Sequence, residues 1–194
     1  IDLATTEVAY VAGADGKYFL PLGWLDTETV VCQIDRDLYA VTLDGELFSL
    51  HENWDTLNSV ELLGLSGSLI AVREIHGDNV EICFYTWNGL NRQFNPFNVI
   101  TLPGPLQIMA GSSGALSTDG RYFAALYTPD ANSSQSVIYL LDLDTGAETE
   151  LTSPPDGLGF MVSFYWVSPN AVYINCLERT AEGTEIYHPW LYYM

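Results

Sequence analysis

The fold is decided by two stretches of sequence, ALSTDGRYFAAL at residues 115–126 and VIYLLDLDTGAETELT at residues 137–152. Each stretch joins short runs of aliphatic, β-branched and aromatic residues through a turn that contains glycine. Such runs are typical of antiparallel strands in hairpins. No stretch of ten or more residues has the i, i+3, i+4, i+7 spacing of apolar groups that an amphipathic helix requires. The sequence therefore predicts an all-β protein, with positive φ expected in the tight turns at Gly45, Gly89, Gly120 and Gly146.

The same order of strands and turns recurs four times along the chain. The second strand of each unit begins near Thr29, Leu69, Tyr122 and Val172. The spacing is about 40 to 53 residues, which matches the roughly 40 to 50 residues of a four-stranded β-propeller blade. We therefore expect a β-propeller-like fold with about four blades of four antiparallel strands.

The expected organisation is a single β-propeller-like domain over residues 1–194. The blade-like units are predicted at residues 18–54, 55–98, 105–157 and 158–194. The last unit has only three predicted strands, and residues 6–12 are a candidate for the strand that closes it, which would protect an otherwise exposed sheet edge. A complete four-bladed ring and a fragment of a larger propeller both fit this arrangement.

The two stretches at residues 115–126 and 137–152 resemble a blade of the TolB-like propeller repeats. Those repeats read approximately S-P-D-G-x-x-I-A-F, then I-Y-x-x-D-x-x-T-G, and then a strand that ends in L-T. Residues 164–170 begin the next blade in a similar style, and the match is weaker elsewhere. Thr118 stands where the repeat has proline, and the His and Trp-Asp markers of WD40 blades are absent. The resemblance to TolB-like or WD40-like repeat proteins implies a β-propeller that binds or scaffolds a partner in the cell envelope or outside the cell.

The chain is strongly acidic, because 6 Lys and Arg stand against 25 Asp and Glu and the formal net charge is −19. A surface of this sign repels phosphate backbones and anionic lipid headgroups, so we expect no nucleic acid partner. No apolar run approaches the roughly 20 residues of a membrane-spanning helix, so we expect no direct membrane insertion of this region. Apolar residues make up 48% of the sequence, which is sufficient for a folded core.

The sequence contains no pattern that predicts a metal site or a cofactor. Cys32, Cys83 and Cys176 lie far apart in apolar runs without the CxxC spacing of metal sites, so we expect buried free thiols. Asp142 and Asp144 resemble the opening of a calcium loop, but the remaining ligands are missing and a hairpin turn is expected instead.

No catalytic residues are predicted either. The three histidines, His51, His76 and His188, have no G-x-S-x-G nucleophile elbow to serve. Carboxylates are abundant in an acidic chain, and their pairing in space cannot be read from their order. We therefore expect a non-enzymatic protein.

Candidate binding residues follow from the propeller fold. The loops that join the second strand to the third, and one blade to the next, gather on one face, where propellers commonly bind partners. Arginine and tryptophan concentrate binding energy at interfaces, although Trp54 could instead pack beneath its own loop. The predicted residues for ligand or partner binding are Arg36, His51, Trp54, His76, Asp78, Phe97 and Arg179.

The sequence thus favours a non-enzymatic binding or scaffolding propeller with a protein or peptide partner, and the resemblance implies an extracytoplasmic location. Two alternatives remain. The chain could be the propeller domain of a peptidase or of a carbohydrate-active enzyme, or it could be a small-ligand sensor that uses a central pocket.

Overall fold

The computed structural model describes residues 19–35, 37–51, 59–76, 79–102, 115–128, 136–152 and 160–194, and every regular element within these ranges is a β-strand. The predicted all-β class is confirmed. The strands form four antiparallel sheets in which neighbours along the chain are also hydrogen-bonded neighbours in the sheet. This meander is the strand order of a propeller blade, so the predicted blade-like organisation is confirmed as well.

The chain divides into two compact units, residues 1–100 and 101–194. The predicted extent of one domain over residues 1–194 stays a prediction, and the candidate closing strand at residues 6–12 lies outside the described residues. No described segment forms a helix with the length and apolar character needed to cross a membrane.

The first unit contains two four-stranded sheets. Sheet 1 consists of β1 (Phe19–Trp24), β2 (Thr29–Ile34), β3 (Asp37–Thr42) and β4 (Leu47–Ser49). Sheet 2 consists of β5 (Ser59–Ser66), β6 (Leu69–His76), β7 (Asn79–Asn88) and β8 (Gln93–Ile100). The central strands β2, β3 and β6 are rich in the β-branched residues that favour a pleated, half-buried surface.

The two sheets of the first unit share one hydrophobic core. Val31 and Ala40 are opposite each other in sheet 1 and are fully buried, and they belong to the same apolar cluster as Ile70 and Val72 of sheet 2. Trp87 of β7 completes this cluster. Burial of these side chains stabilises the pair of sheets by about 1.5–3 kcal/mol for each large residue.

The second unit contains two sheets of three described strands each. Sheet 3 consists of β9 (Tyr122–Tyr127), β10 (Val137–Asp142) and β11 (Glu148–Leu151), and sheet 4 consists of β12 (Phe160–Ser168), β13 (Ala171–Arg179) and β14 (Glu185–Tyr193). Leu116 forms an isolated antiparallel bridge with Phe123 beside β9. The core between sheets 3 and 4 contains Leu126, Ile138, Trp166 and Ile174.

The three cysteines are buried and free, as predicted. Burial raises the pKa of the Cys32 and Cys83 thiols to about 12, so both remain protonated at neutral pH. The residues that resembled a calcium loop form a turn, as predicted, in which Asp142 Oδ1 accepts hydrogen bonds from the N–H groups of Asp144 (3.0 Å) and Thr145 (3.3 Å).

The prediction for Gly89 was wrong. Asn88 and Gln93 pair across a four-residue turn in which Arg92, with φ of 53°, adopts the left-handed conformation and Gly89 does not. The Asn88 side chain causes this, because its Oδ1 accepts hydrogen bonds from the N–H groups of Leu90 and Asn91 at 3.1 and 3.2 Å. Space is tight at position 89, since a Cβ there would lie 3.1 Å from Asp26 Oδ2.

The turn before β9 is the one whose glycine has the clearest conformational role. Gly120 has φ of +75°, and its N–H donates to the Ser117 carbonyl at 2.9 Å. Ser117 Oγ donates to Asp119 Oδ1 (2.7 Å) and accepts from the Tyr122 N–H (2.9 Å). The surrounding hydrogen bonds therefore hold position 120 in the left-handed region.

We expect Gly120→Val to lower the free energy of unfolding by about 1–3 kcal/mol, because a β-branched side chain is strained at positive φ. Ala147→Val is the matched control: it adds a β-branched side chain at an exposed turn position that does not have positive φ. Urea unfolding followed by circular dichroism measures both. Equal midpoints for the two variants would contradict the turn described here.

Candidate functional site

A cleft of about 860 Å³ lies at one end of the first unit, between three turns. These turns join β1 to β2, β3 to β4, and β7 to β8. A volume of this size is typical of sites that hold a small ligand or a peptide side chain. We call this feature the binding cleft, and it is lined by Asp26, Thr27, Glu28, Thr29, Thr42, Leu43, Asp44, Thr86, Trp87, Asn88, Gly89, Leu90, Arg92 and Asn95.

The two sheets are tied together at the cleft by a hydrogen bond from Trp87 Nε1 to Asp26 Oδ2 at 2.9 Å. Asp26 Oδ1 also accepts from the Glu28 N–H at 2.8 Å, so both carboxylate oxygens have a partner. Burial opposes ionisation of Asp26, but these hydrogen bonds and those from Thr29 outweigh it and lower the pKa of the carboxyl. Asp26 is therefore an oriented, negatively charged group on the cleft wall.

The neighbouring β3–β4 turn carries a salt bridge. Arg92 Nη2 lies 3.4 Å from Asp44 Oδ2, and the same guanidinium also contacts Glu46 and lies 5.8 Å from the centre of the Phe48 ring. Hydrogen bonding from the Thr42 hydroxyl and the charge of Arg92 lower the pKa of Asp44. In the described part of the chain, no ion pair neutralises Asp26 or Glu28.

Two leucines on the turns around the cleft are exposed to solvent. Leu90 is 97% exposed at the β7–β8 turn, and Leu43 is 54% exposed at the β3–β4 turn. Trp87, which also lines the cleft, is buried and packs against Phe94 and Phe48, with ring centroids 5.0 and 5.8 Å apart. The cleft lining thus combines exposed leucines with a buried tryptophan.

A second group of polar residues lies at the other end of the same strands, and we call it the histidine–carboxylate cluster. Its centre is Glu74 of β6, whose side chain is only 4% exposed. Glu74 Oε1 lies 3.1 Å from His51 Nε2 and accepts a hydrogen bond from the Tyr85 hydroxyl at 2.6 Å, and Glu74 Oε2 lies 3.0 Å from His76 Nε2. His51 Nδ1 faces Asp37 Oδ1 at 4.0 Å.

The electrostatics of the cluster favour a buried ion pair. Burial lowers the pKa of His51, but the nearby carboxylates of Asp37 and Glu74, the second within hydrogen-bond distance, outweigh it and raise that pKa to about 9. Burial raises the pKa of Glu74, but hydrogen bonds from His51, Tyr85 and His76 and the charge of His51 lower it to about 2. Because Asp37 belongs to sheet 1 and Glu74 to sheet 2, the ion pair links the two sheets.

The structure brings together only part of the predicted site. His51 and His76 meet at Glu74, whereas Arg179 lies in the second unit and pairs with Glu185 at 3.1 Å. Arg36, Trp54 and Asp78 lie outside the described residues. Whether any of the seven residues binds a partner stays a prediction.

The predicted place of Phe97 in a loop between blades was wrong. Phe97 lies within β8, where the register shifts between the pairs Phe84–Asn98 and Tyr85–Pro96. The extra residue of this bulge is Phe97, and its side chain is 53% exposed on the outer strand. The strand was predicted to end before Phe97 because proline, here Pro96, usually interrupts a strand. Proline is nevertheless tolerated on an outer strand such as β8.

Sequence reasoning missed the binding cleft and the central role of Glu74. Side chains alternate between the two faces of a strand, so Glu74 of β6 lies on the same face as the buried Ile70 and Val72. A carboxylate on a buried face requires partners, so this alternation was a usable signal. In the described residues, no group of three or more His, Cys, Asp or Glu side chains has the arrangement of a metal site.

Comparison with solved structures shows the fold. The chain is similar to a protein assigned as TolB from Agrobacterium tumefaciens, with 19% sequence identity and a TM-score of 0.54 over 91% of this chain and 58% of that one. It is also similar to the β-propeller domain of the Trilobed protease from Pyrococcus furiosus, with 10% identity and a TM-score of 0.56 over 92% of this chain and 55% of that one. A third similar structure is oligogalacturonate lyase in complex with manganese, with 9% identity and a TM-score of 0.53 over 84% of this chain and 45% of that one.

These similarities confirm the predicted TolB-like β-propeller resemblance at the level of the fold. The chain spans about half the length of the three similar structures. No family model and no curated protein matches the sequence.

We expect Glu74→Gln to lower the free energy of unfolding by at least about 2 kcal/mol, because it removes the buried carboxylate charge that pairs with His51 and His76. Glu61→Gln is the matched control on the neighbouring strand, since the Glu61–Arg73 pair is much more exposed and such pairs contribute about 0–1 kcal/mol. Urea unfolding measures both. Equal losses would contradict a buried ion pair at Glu74.

The cluster also predicts how stability depends on pH. The pKa of His51 is raised from 6.5 to about 9, so its contribution is complete below pH 6.5 and is lost as the pH rises through 9. The pKa of Glu74 is lowered from 4.5 to about 2, so its contribution is present above pH 4.5 and is lost as the pH falls through 2. We expect the cluster to stabilise the fold most between pH 4.5 and 6.5.

Urea unfolding from below pH 4.5 to above pH 9 tests the expectation, with His51→Gln as the variant that flattens the decline above pH 6.5. His188→Gln is the control, because His188 pairs with Glu178 in the second unit, at 2.8 Å, and leaves the cluster intact. A decline that persists in His51→Gln would show that other groups cause it.

Proposed function

We propose that this chain is a binding or scaffolding β-propeller domain that engages a protein or peptide partner through the binding cleft, in the cell envelope or outside the cell. The observation that carries the proposal is the cleft itself, together with the exposed leucines on its rim. The proposed location draws on the likeness to the protein assigned as TolB.

The rim has the character of a protein interface. Single exposed apolar residues are common on protein surfaces, but Leu90 and Leu43 flank one concave site. A partner that covers them would bury apolar area around a cleft already held in shape by the Asp26–Trp87 hydrogen bond. Such a preformed site loses little conformational entropy when it binds.

The loop residues predicted from the sequence define a second candidate surface. Among the described members of this set, Phe97 is an aromatic residue that is 53% exposed at the bulge in β8. His51 and His76 are engaged with Glu74, which favours a structural role for both. The cleft is therefore the stronger candidate, and the enzyme and sensor alternatives stay predictions.

The test is selection of peptides from a random library displayed on phage, followed by titration calorimetry of the selected peptides. We expect Leu90→Ala to weaken binding roughly 5- to 30-fold, which corresponds to about 1–2 kcal/mol, because it removes a contact at the rim without altering the core. Val99→Ala is the matched control, since Val99 is an exposed aliphatic residue (53%) on β8 outside the cleft lining.

Two results would contradict the proposal. A library that yields no binder argues against a peptide-binding site on this chain. Binders that are insensitive to Leu90→Ala but lost in Phe97→Ala or Arg179→Ala would move the site to the residues predicted from the loops.

A further inference from the structure

We infer that the segment bound in the binding cleft carries a positively charged side chain, lysine or arginine, which lies against the β1–β2 turn beside Asp26 and Glu28. This inference rests on the proposed function and adds the chemical class of the ligand. It is argued from charge complementarity, from the shape of the cleft and from the position of the exposed leucines.

The charges around the cleft are unequal. Asp26, Glu28 and Asp44 line it and Glu46 lies beside it, whereas Arg92 is the one basic residue among the described lining residues. Arg92 already pairs with Asp44 and Glu46 and lies over the Phe48 ring. Its charge is therefore directed to the β3–β4 turn, and the adjacent β1–β2 turn keeps two carboxylates without an ion pair in the described part of the chain.

The two carboxylates differ in how they could serve a ligand. Both oxygens of Asp26 accept hydrogen bonds from within the protein, at 2.9 and 2.8 Å, which fixes the position of its charge. Glu28 lies on an exposed part of the same turn, and its carbonyl accepts a hydrogen bond from the Leu43 N–H at 2.9 Å. Because the Glu28 side chain is exposed, it can reorient to contact an incoming cation. The hydrogen bond from Leu43 holds the Glu28 backbone in place.

The apolar rim fits the same ligand class. Lysine and arginine have long methylene stems that cover apolar surface while the charged end reaches polar groups. Leu43 and Leu90 offer such a surface next to the acidic turn. The net charge of −19 would in addition attract a cationic segment before it docks, and would repel an acidic one.

The experiment compares two pools of octapeptides with blocked ends and no other charged residue. They differ at one central position, which is arginine in the first pool and citrulline in the second. Citrulline keeps the shape and the stem of arginine and removes the charge. We expect the arginine pool to bind about tenfold more tightly by fluorescence anisotropy, and this preference to shrink when the salt concentration rises from about 0.05 M to about 0.5 M.

Glu28→Gln locates the effect. We expect it to weaken binding of the arginine pool roughly 3- to 10-fold and to leave the citrulline pool unchanged. Glu182→Gln is the matched control, because it makes the same change in net charge at an exposed turn between β13 and β14. The control should bind both pools as the unaltered chain does.

The outcomes separate the two proposals. Equal binding of both pools, with sensitivity to Leu90→Ala, overturns the inference and leaves the proposed function standing. An arginine preference that Glu182→Gln lowers as much as Glu28→Gln overturns the assignment to the cleft. Absence of binding by both pools overturns the inference, and if the random library also yields no binder it overturns the proposed function as well.

Discussion

The structure depends on the burial of apolar sheet faces against neighbouring sheets. A single four-stranded antiparallel sheet cannot hide its own faces from water, so Val31 and Ala40 of sheet 1 require Ile70 and Val72 of sheet 2. Sheets 3 and 4 meet the same requirement through Leu126, Ile138 and Ile174. In each unit, therefore, two neighbouring sheets bury their apolar faces in one shared core.

Polar ties at both ends of the strands set the alignment of sheets 1 and 2. The apolar contact between them is not directional, whereas the hydrogen bond from Trp87 to Asp26 and the ion pair between His51 and Glu74 each have a required geometry. One tie shapes the binding cleft, and the other is almost completely buried. A function at the cleft thus depends on a contact between two blades and not on one loop alone.

Local chemistry explains which features the sequence predicted correctly. The turn at Gly120 was predictable because serine, aspartate and glycine act within a few residues of one another. The conformation of Gly89 was not, because the Asn88 side chain sets the turn and the tight space at position 89 comes from Asp26 on another sheet. The partner of Glu74 could not be predicted either, since His51 lies 23 residues away and reaches it only after the sheets pack.

The three buried free thiols have a consequence for how the folded protein tolerates its surroundings. Thiol–disulfide exchange requires a thiolate, and a thiol with a pKa of about 12, such as Cys32 or Cys83, is almost entirely protonated and shielded from oxidants. The folded structure contains its three cysteines as buried free thiols, so no disulfide has to form, and none of these thiols is exposed for exchange. Once folded, the molecule should keep the same covalent structure in a reducing or an oxidising compartment.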